Sequence, residues 1–191
     1  MPARWVVDEV QPHRDLNITW QPISLLFKNE PDEQDQAEYH ARTLFTHKLL
    51  RVMESVRQTD GSDGVFALYW EYGRRIHHDR DKSFDAADAL KEAGLDVSHA
   101  DAFDDEAFDP EIRTRMYVGL ELAGTDIGTP IIGFANDDNE KVALFGPVVT
   151  RVPTTEQSLR LWDGFMMCAT VPGFWELKRT RTERPDFGNR P

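Results

Sequence analysis

The side chains that could do chemistry in this sequence begin with its one cysteine, Cys168. One cysteine excludes an intrachain disulfide, a zinc site built on cysteines and a dithiol redox centre within these 191 residues. Cys168 stands among Met166, Met167 and Ala169 in an apolar helical stretch. No clear cationic neighbour is present that would stabilise a thiolate. We therefore expect a buried structural thiol and not a nucleophile.

Two groups of histidines have neighbours that could give them a role. His77 and His78 follow a pair of arginines at a predicted helix end. Such a cluster complements the carbonyl end of a helix and could face an anionic ligand. His40 and His47 are seven residues apart, but no cysteine or carboxylate completes a set of metal ligands with them. The sequence therefore predicts no metal site.

Composition and charge limit the classes of partner. The chain has a net charge of −12, which argues against nonspecific binding to nucleic acid or to an anionic membrane. The acidic run from 101 to 111 lacks the glycine and the spacing of a calcium loop, so we interpret it as a solvated helix start. A short basic tail, Lys178, Arg179 and Arg181, indicates surface ion pairs or a contact between subunits. Without a visible secretory signal or membrane span, we expect a cytoplasmic protein.

Periodicity predicts a helical start, a strand and then a long helical block. Pro2–Val10 has helical spacing, and Leu16–Ile23 alternates apolar and polar residues as a strand does. Residues 36–122 have the spacing of several helices, with breaks at Gly61 and Gly64. These elements must position any site that the histidines and their polar neighbours form.

The pattern changes in the last third of the chain. Ile131–Ala135 and Val142–Phe145 flank a turn signal and predict a β-hairpin. Thr154 begins a capping cluster that opens an amphipathic helix. The polar tail from Lys178 to Pro191 is expected to fray. We expect the strand Leu16–Ile23 and the hairpin to share one sheet, separate from the helical block.

This order of elements carries a resemblance. A Thr-Pro pair leading into the hairpin, after a helical block, resembles the DsbA-like branch of the thioredoxin superfamily. Several segments spread over nearly the whole chain resemble the mycothiol-dependent nitroreductase family, DsbA-like oxidoreductases of bacteria that use mycothiol in place of glutathione. These segments are Arg75-Ile76-His77, Gly128-Thr129-Pro130, Leu144-Phe145-Gly146-Pro147-Val148, Leu161-Trp162-Asp163 and Glu176-Leu177-Lys178-Arg179-Thr180-Arg181-Thr182-Glu183.

The resemblance implies an α/β, thioredoxin-like fold with a helical insertion domain. Residues 1–28 and 124–191 would form the thioredoxin-like domain, and residues 29–123 the insertion. Family members begin with a strand and a Cys-x-x-Cys motif or a one-cysteine variant, whereas Met1 matches a position inside the helix that follows. We therefore expect the first strand and the redox cysteines to lie upstream of Met1 and the printed chain to be inactive. A start codon assigned too late and a shortened coding sequence both account for this.

The resemblance also assigns a thiol-binding segment. Its residues are Gly128, Thr129 and Pro130. The Thr129–Pro130 bond is expected to be cis, with Pro130 beside the start of the first helix. The Thr129 backbone would offer a donor and an acceptor to an extended thiol, as one more short strand would. The implied co-substrate is a low-molecular-weight thiol, mycothiol, and no tightly bound cofactor is expected.

A substrate pocket is the second implied site. Its residues are Asn29, Tyr39 and His77. Asn29 could hydrogen-bond a nitro or carboxylate group, and Tyr39 could stack on an aromatic ring or donate its hydroxyl. The implied substrate is a small electrophile or a disulfide, no catalytic residue is assigned within the chain, and a homodimer stays open.

Two other functions are compatible with the residues. A non-catalytic thioredoxin-fold protein that binds a thiol or a peptide accounts for the missing nucleophile. A thiol-dependent isomerase of the 2-hydroxychromene-2-carboxylate isomerase type has the same fold, but it needs a serine or cysteine at the same missing position.

Overall fold

The computed structural model describes residues 2–189, and the chain divides into two compact units. We call the described residues up to Ile18 and from Val118 onward the hairpin unit, and Thr19–Tyr117 the helical unit. The predicted division into residues 1–28 with 124–191 and residues 29–123 stays a prediction. Within residues 2–189, no helix combines the length and the apolar character needed to cross a membrane.

The hairpin unit begins with the predicted helix. Helix α1 (Pro2–Trp5) continues as a π-helical turn over Val6–Val10 and a 3-10 turn over Gln11–His13. Trp5 and Val10 are fully buried in this unit. The Trp5 ring lies 6.0 Å, centroid to centroid, from that of Trp162, so aromatic packing fixes the first helix on the unit's core.

The predicted hairpin is confirmed. Strands β1 (Ile131–Ala135) and β2 (Lys141–Phe145) pair antiparallel, with Ile131 opposite Phe145 and Ala135 opposite Lys141. Asn139 adopts a positive φ of 61° in the connecting turn, a conformation that asparagine tolerates better than most residues. The local turn chemistry therefore sets the register of the sheet.

Helix α6 (Thr155–Ala169), numbered by its place in the chain, follows the hairpin. The Thr154 side chain accepts a hydrogen bond from the Gln157 backbone N–H at 3.4 Å, and the Gln157 side chain accepts one from the Thr154 N–H at 3.3 Å. This capping box satisfies two groups that a helix start would otherwise leave unpaired. The apolar face of α6 buries Trp162 and Phe165.

The C-terminal tail makes a few polar contacts with other parts of the hairpin unit. It has no regular structure, but the Asp186 N–H donates to the Thr150 carbonyl at 2.7 Å, and Glu183 forms an ion pair with Arg151. Arg4 donates to the Phe187 carbonyl at 2.7 Å. Fraying of this tail stays a prediction, and residues 190 and 191 lie outside the described part.

The regular elements of the helical unit are all helices. Between residues 36 and 122, all of which the structure describes, no strand occurs, as predicted. The elements, in chain order, are α2 (Leu25–Asn29), α3 (Ala37–Gly73), a π-helical turn (Arg74–Asp79), α4 (Ala86–Glu92), two 3-10 helices (Val97–Asp104 and Glu106–Phe108) and α5 (Asp109–Ala123), whose end belongs to the hairpin unit.

Helix α3 consists of two arms joined at the predicted break. Gly61 has φ 63° and ψ −148°, a conformation open mainly to glycine. A Cβ on Gly64 would lie 2.5 Å from Asp60 Cβ and 2.8 Å from Val56 Cγ1, so the arms approach closely there. Both arms contribute to one buried cluster, which includes Leu49, Val52, Val56, Val65, Leu68 and Tyr72.

The predicted strand Leu16–Ile23 is wrong. Residues 15–24 have no regular structure, and the sheet found among residues 2–189 consists of β1 and β2. Leu16 and Ile18 pack against the core of the hairpin unit, whereas Trp20 stacks on two aromatic rings of α3. Alternation is typical of a strand, but a strand also needs a neighbour for its backbone hydrogen bonds, and neither β1 nor β2 pairs with this segment.

Candidate functional site

Asn29 and Tyr39 meet in the helical unit. The Ser24 side chain caps α2 by accepting from the Phe27 N–H, and α2 ends at Asn29 because Glu30 is left-handed, with φ 42°. Asn29 is thus the last residue of this helix. Its Nδ2 donates to the Tyr39 hydroxyl at 2.5 Å, which brings together two of the three predicted pocket residues.

The connection between Asn29 and Tyr39 is shaped by Asp32. Its carboxylate accepts hydrogen bonds from the backbone N–H groups of Gln34 and Asp35, at 2.8 and 2.7 Å. These two bonds lower the pKa of Asp32, because they stabilise its charged form. The turn delivers the chain into the first turn of α3, where Tyr39 lies.

An open cavity of about 440 Å³ lies at the start of α3. Its lining residues are Asp35, Gln36, Ala37, Glu38, Tyr39 and Arg42. The Arg42 guanidinium lies 5.0 Å from the centroid of the Tyr39 ring, within the range of a cation–π contact. The cavity is open to solvent, and its lining combines one aromatic ring with charges of both signs.

His77 lies in the π-helical turn Arg74–Asp79 and is exposed. Partial burial of its ring lowers its pKa, and His78 acts in the same direction. The arginines of the predicted cationic cluster are not free, because Arg74 and Arg75 both form ion pairs with the buried Glu71. The cluster is therefore partly neutralised, and a place for His77 in the pocket stays a prediction.

The predicted thiol-binding segment, Gly128 to Pro130, belongs to the hairpin unit. The Thr129–Pro130 bond is cis, as expected. The Gly146 N–H donates to the Pro130 carbonyl at 2.8 Å, which extends the hairpin by one pair. A Cβ on Gly128 would lie 3.3 Å from the Phe145 ring, a tight fit that favours glycine. Gly128 and Thr129 are exposed; thiol binding there, and the place of Pro130 beside the first helix, stay predictions.

Cys168 is the next-to-last residue of α6 and is half-buried, less enclosed than expected. It thus lies at the carbonyl end of its helix, whereas reactive cysteines are typical of the opposite, amide end. Among residues 2–189, no three side chains of the types that bind metals come together.

A buried polar network in the helical unit escaped prediction. Ser24 Oγ lies 3.0 Å from His47 Nδ1, and His47 Nε2 lies 3.0 Å from Asp109 Oδ1. Arg51 donates to both Asp109 oxygens, at 2.6 and 2.8 Å. Asp109 belongs to the acidic run that we interpreted as a solvated helix start. Its ion pair corrects that interpretation for Asp109 alone. Asp109 and Arg51 are 58 positions apart in the sequence, so no local signal indicates their pairing.

The network sets the ionisation of its members. Burial lowers the pKa of His47 against the opposing pull of Asp109. Burial alone would raise the pKa of Asp109, but its hydrogen bonds with Arg51 and with His47 hold that pKa below its usual value. The imidazole is therefore favoured in its neutral form and the carboxylate in its charged form.

A comparison with protein families matches the chain over residues 1–179 to the family model described as Rv2466c-like, mycothiol-dependent nitroreductase Rv2466c. The match leaves out only the last 12 of the 191 residues, and it confirms the resemblance found in the sequence. Placement in the DsbA-like branch of the thioredoxin superfamily stays a prediction. The chain belongs to the Rv2466c-like family of mycothiol-dependent nitroreductases.

Proposed function

We propose that this protein is a thiol-dependent reductase component that takes mycothiol as co-substrate and a small electrophile, such as a nitroaromatic, or a disulfide as substrate. Membership of the family over residues 1–179 supports the proposal. The proposed fold is DsbA-like and thioredoxin-like, with β1, β2 and α6 as its final hairpin and helix and residues 29–123 as its insertion. The proposed location is the cytoplasm.

The contact between Asn29 and Tyr39 is the observation that supports the proposed substrate pocket. Because the Asn29 amide donates to the tyrosine oxygen, the Tyr39 hydroxyl hydrogen and the Asn29 carbonyl oxygen keep hydrogen-bonding capacity for a ligand. Arg42 adds a cation at the Tyr39 ring. This combination suits a planar molecule with a polar substituent whose oxygens accept hydrogen bonds and carry partial negative charge, and a nitroaromatic has that chemistry.

The thiol co-substrate is assigned to Gly128, Thr129 and Pro130. Thr129 is exposed, and its neighbour Pro130 is fixed to the hairpin through the Gly146 N–H. A backbone segment beside a sheet can bind an extended ligand through main-chain hydrogen bonds. The reaction oxidises thiol to disulfide while the substrate is reduced.

A nucleophilic thiolate is the part of this chemistry that residues 1–191 do not supply. Cys168 lies at the carbonyl end of α6, and pocket side chains cannot replace a thiolate as the attacking group. The 191-residue chain should therefore bind its ligands without turnover.

The test compares mycothiol-dependent turnover of a nitroaromatic by four proteins. They are the 191-residue chain, its Cys168→Ala variant, a chain extended before Met1 by a strand and Cys-Pro-x-Cys, and the extended chain with those cysteines changed to alanine. We expect activity from the extended chain alone. Turnover by the 191-residue chain that disappears in Cys168→Ala would overturn the assignment of the nucleophile.

A non-catalytic thiol-binding protein is the second candidate, favoured by the position of Cys168 as the single cysteine. Calorimetric titration with mycothiol and with the nitroaromatic separates the two. Inactivity of all four proteins, with ligand binding that Asn29→Ala and Tyr39→Phe weaken, would support this candidate.

A further inference from the structure

Helix α2 carries Asn29, but none of its five residues is buried. A helix of this length has little stability of its own. Without contacts that hold α2 against its neighbours, the Asn29 amide would be free to leave the Tyr39 hydroxyl, to which it donates. The geometry of the candidate pocket therefore depends on what anchors this helix.

The Phe27 ring joins α2 to two other helices of the helical unit. Its centroid lies 4.3 Å from that of the His47 ring on α3. The Arg113 guanidinium carbon on α5 lies 3.6 Å from the same Phe27 centroid, within the range of a cation–π contact. We call Phe27, His47 and Arg113 the Phe27 anchor.

The buried partner in this anchor is itself fixed. The His47 side chain is 0% exposed, and its two ring nitrogens lie 3.0 Å from Ser24 Oγ and 3.0 Å from Asp109 Oδ1. The main chain at Phe27 is fixed as well, because its N–H donates to Ser24 Oγ at 3.2 Å. Both the ring and the backbone of Phe27 are therefore attached to the buried network, close in the chain to Asn29.

We propose that Phe27 is a positioning residue for the substrate pocket, which holds the Asn29 amide at the Tyr39 hydroxyl before a substrate arrives. A pocket that is ordered in advance avoids part of the ordering cost of binding. Phe27 is not among the residues that line the cavity, so it acts through Asn29 and not by touching the substrate. The inference rests on the proposed function, because this is the pocket assigned there to the small electrophile.

The first test is NMR titration of the 191-residue chain with para-nitrobenzyl alcohol, a small planar nitroaromatic. Phe27→Leu should raise the dissociation constant about tenfold, as when only about a tenth of the molecules hold Asn29 in place before binding. Arg113 is exposed, so Arg113→Gln should raise the constant only about threefold, because an exposed cation–π contact is weak. Arg113→Lys keeps a cation and should restore most of the affinity.

The matched control is Phe103→Leu. Phe103 is half-buried like Phe27 and has the same kinds of neighbour, the Lys48 ammonium at 5.3 Å and the Phe45 ring at 6.0 Å. It lies in the 3-10 helix Val97–Asp104, outside α2. This variant should lose stability to a similar degree and still bind the probe as the wild type does. An equal loss of affinity in both variants would overturn the proposal.

A double-mutant cycle separates positioning from a general loss of stability. Because Phe27 acts through Asn29, Phe27→Leu should change the dissociation constant by less than about twofold when Asn29→Ala is already present. Its effect on the free energy of unfolding should be the same in both backgrounds. A tenfold loss of affinity that persists in the Asn29→Ala chain would show that Phe27 does not act through Asn29.

Hydrogen exchange of the ligand-free chain tests the anchor without any ligand. The Lys28 and Glu30 N–H groups donate to the carbonyls of Ser24 and Leu26, at 2.9 and 3.0 Å. In Phe27→Leu these two amides should exchange about tenfold faster, whereas amides in α4 should not change. Unchanged exchange at Lys28 and Glu30 would refute the positioning role. Faster exchange in a chain whose wild type binds no nitroaromatic would instead overturn the proposed function and leave the positioning role standing.

Discussion

Replacing Asp109 by asparagine should lower the free energy of unfolding by about 3 kcal/mol, the lower end of the range for breaking a buried charge pair. Both Asp109 oxygens accept from Arg51, and His47 Nε2 lies 3.0 Å from one of them. The side chains of Arg51 and His47 are 6% and 0% exposed, so water cannot replace the lost carboxylate. The Asp109 side chain is itself 21% exposed, which keeps the expected loss from being larger.

Urea unfolding of the full chain, followed by circular dichroism at neutral pH, measures this loss. With an m-value of about 2 kcal/mol/M, the midpoint should fall by about 1.5 M. The matched control is Asp104→Asn, because the Asp104 carboxylate pairs with Lys48 but is 75% exposed. An exposed pair of this kind contributes less than about 1 kcal/mol. Equal, small losses in both variants would refute the reasoning that burial makes the Asp109 pair important.

Two further predictions concern pH and packing. Because the pKa of His47 in the fold is below 6.5, the unfolded state takes up a proton first as pH falls. The urea midpoint should therefore drop between pH 7.5 and 5.5, and His47→Gln should make that drop smaller. An equally large drop in the His47→Gln variant would contradict this prediction. Gly64→Ala should destabilise by about 1–2 kcal/mol, because its methyl group would clash with Asp60 and Val56. Gly164→Ala in α6, where a Cβ meets nothing within 4 Å, should instead stabilise by up to about 1 kcal/mol, and thermal unfolding that shows the opposite signs would contradict both.

Elements whose signals are local could be predicted from the sequence. The hairpin follows from two short apolar runs around a turn, and its register follows from that turn. Helix α6 begins where Thr154 and Gln157 form a capping box, and α3 breaks at Gly61. In each case the residues that determine the structure are within a few positions of one another, so tertiary contacts are not needed to recognise it.

The segment Leu16–Ile23 shows why features that depend on tertiary contacts could not be predicted from the sequence. Its alternation is real, but Leu16 and Ile18 pack in the hairpin unit and Trp20 packs in the helical unit. One period-two pattern thus serves two cores, and no sheet is needed to explain it. The candidate site was likewise predicted only in part. The family resemblance had singled out Asn29 and Tyr39, which are in contact. The pairing of Arg51 with Asp109 depends on how α3 and α5 pack, and the sequence gives no sign of that packing.

Ser24, His47 and Asp109 have the residue types of an acyl-transfer triad, but their geometry assigns them another role. A nucleophilic serine must reach substrate, whereas Ser24 is 1% exposed and its oxygen already accepts from the Phe27 N–H. The contact with His47 instead fixes the start of α2 on α3, and the bond from Asn29 to Tyr39 fixes its end. A five-residue helix has little stability of its own. Attachment to α3 at both ends therefore explains how so short a helix can hold Asn29 in place beside the candidate pocket.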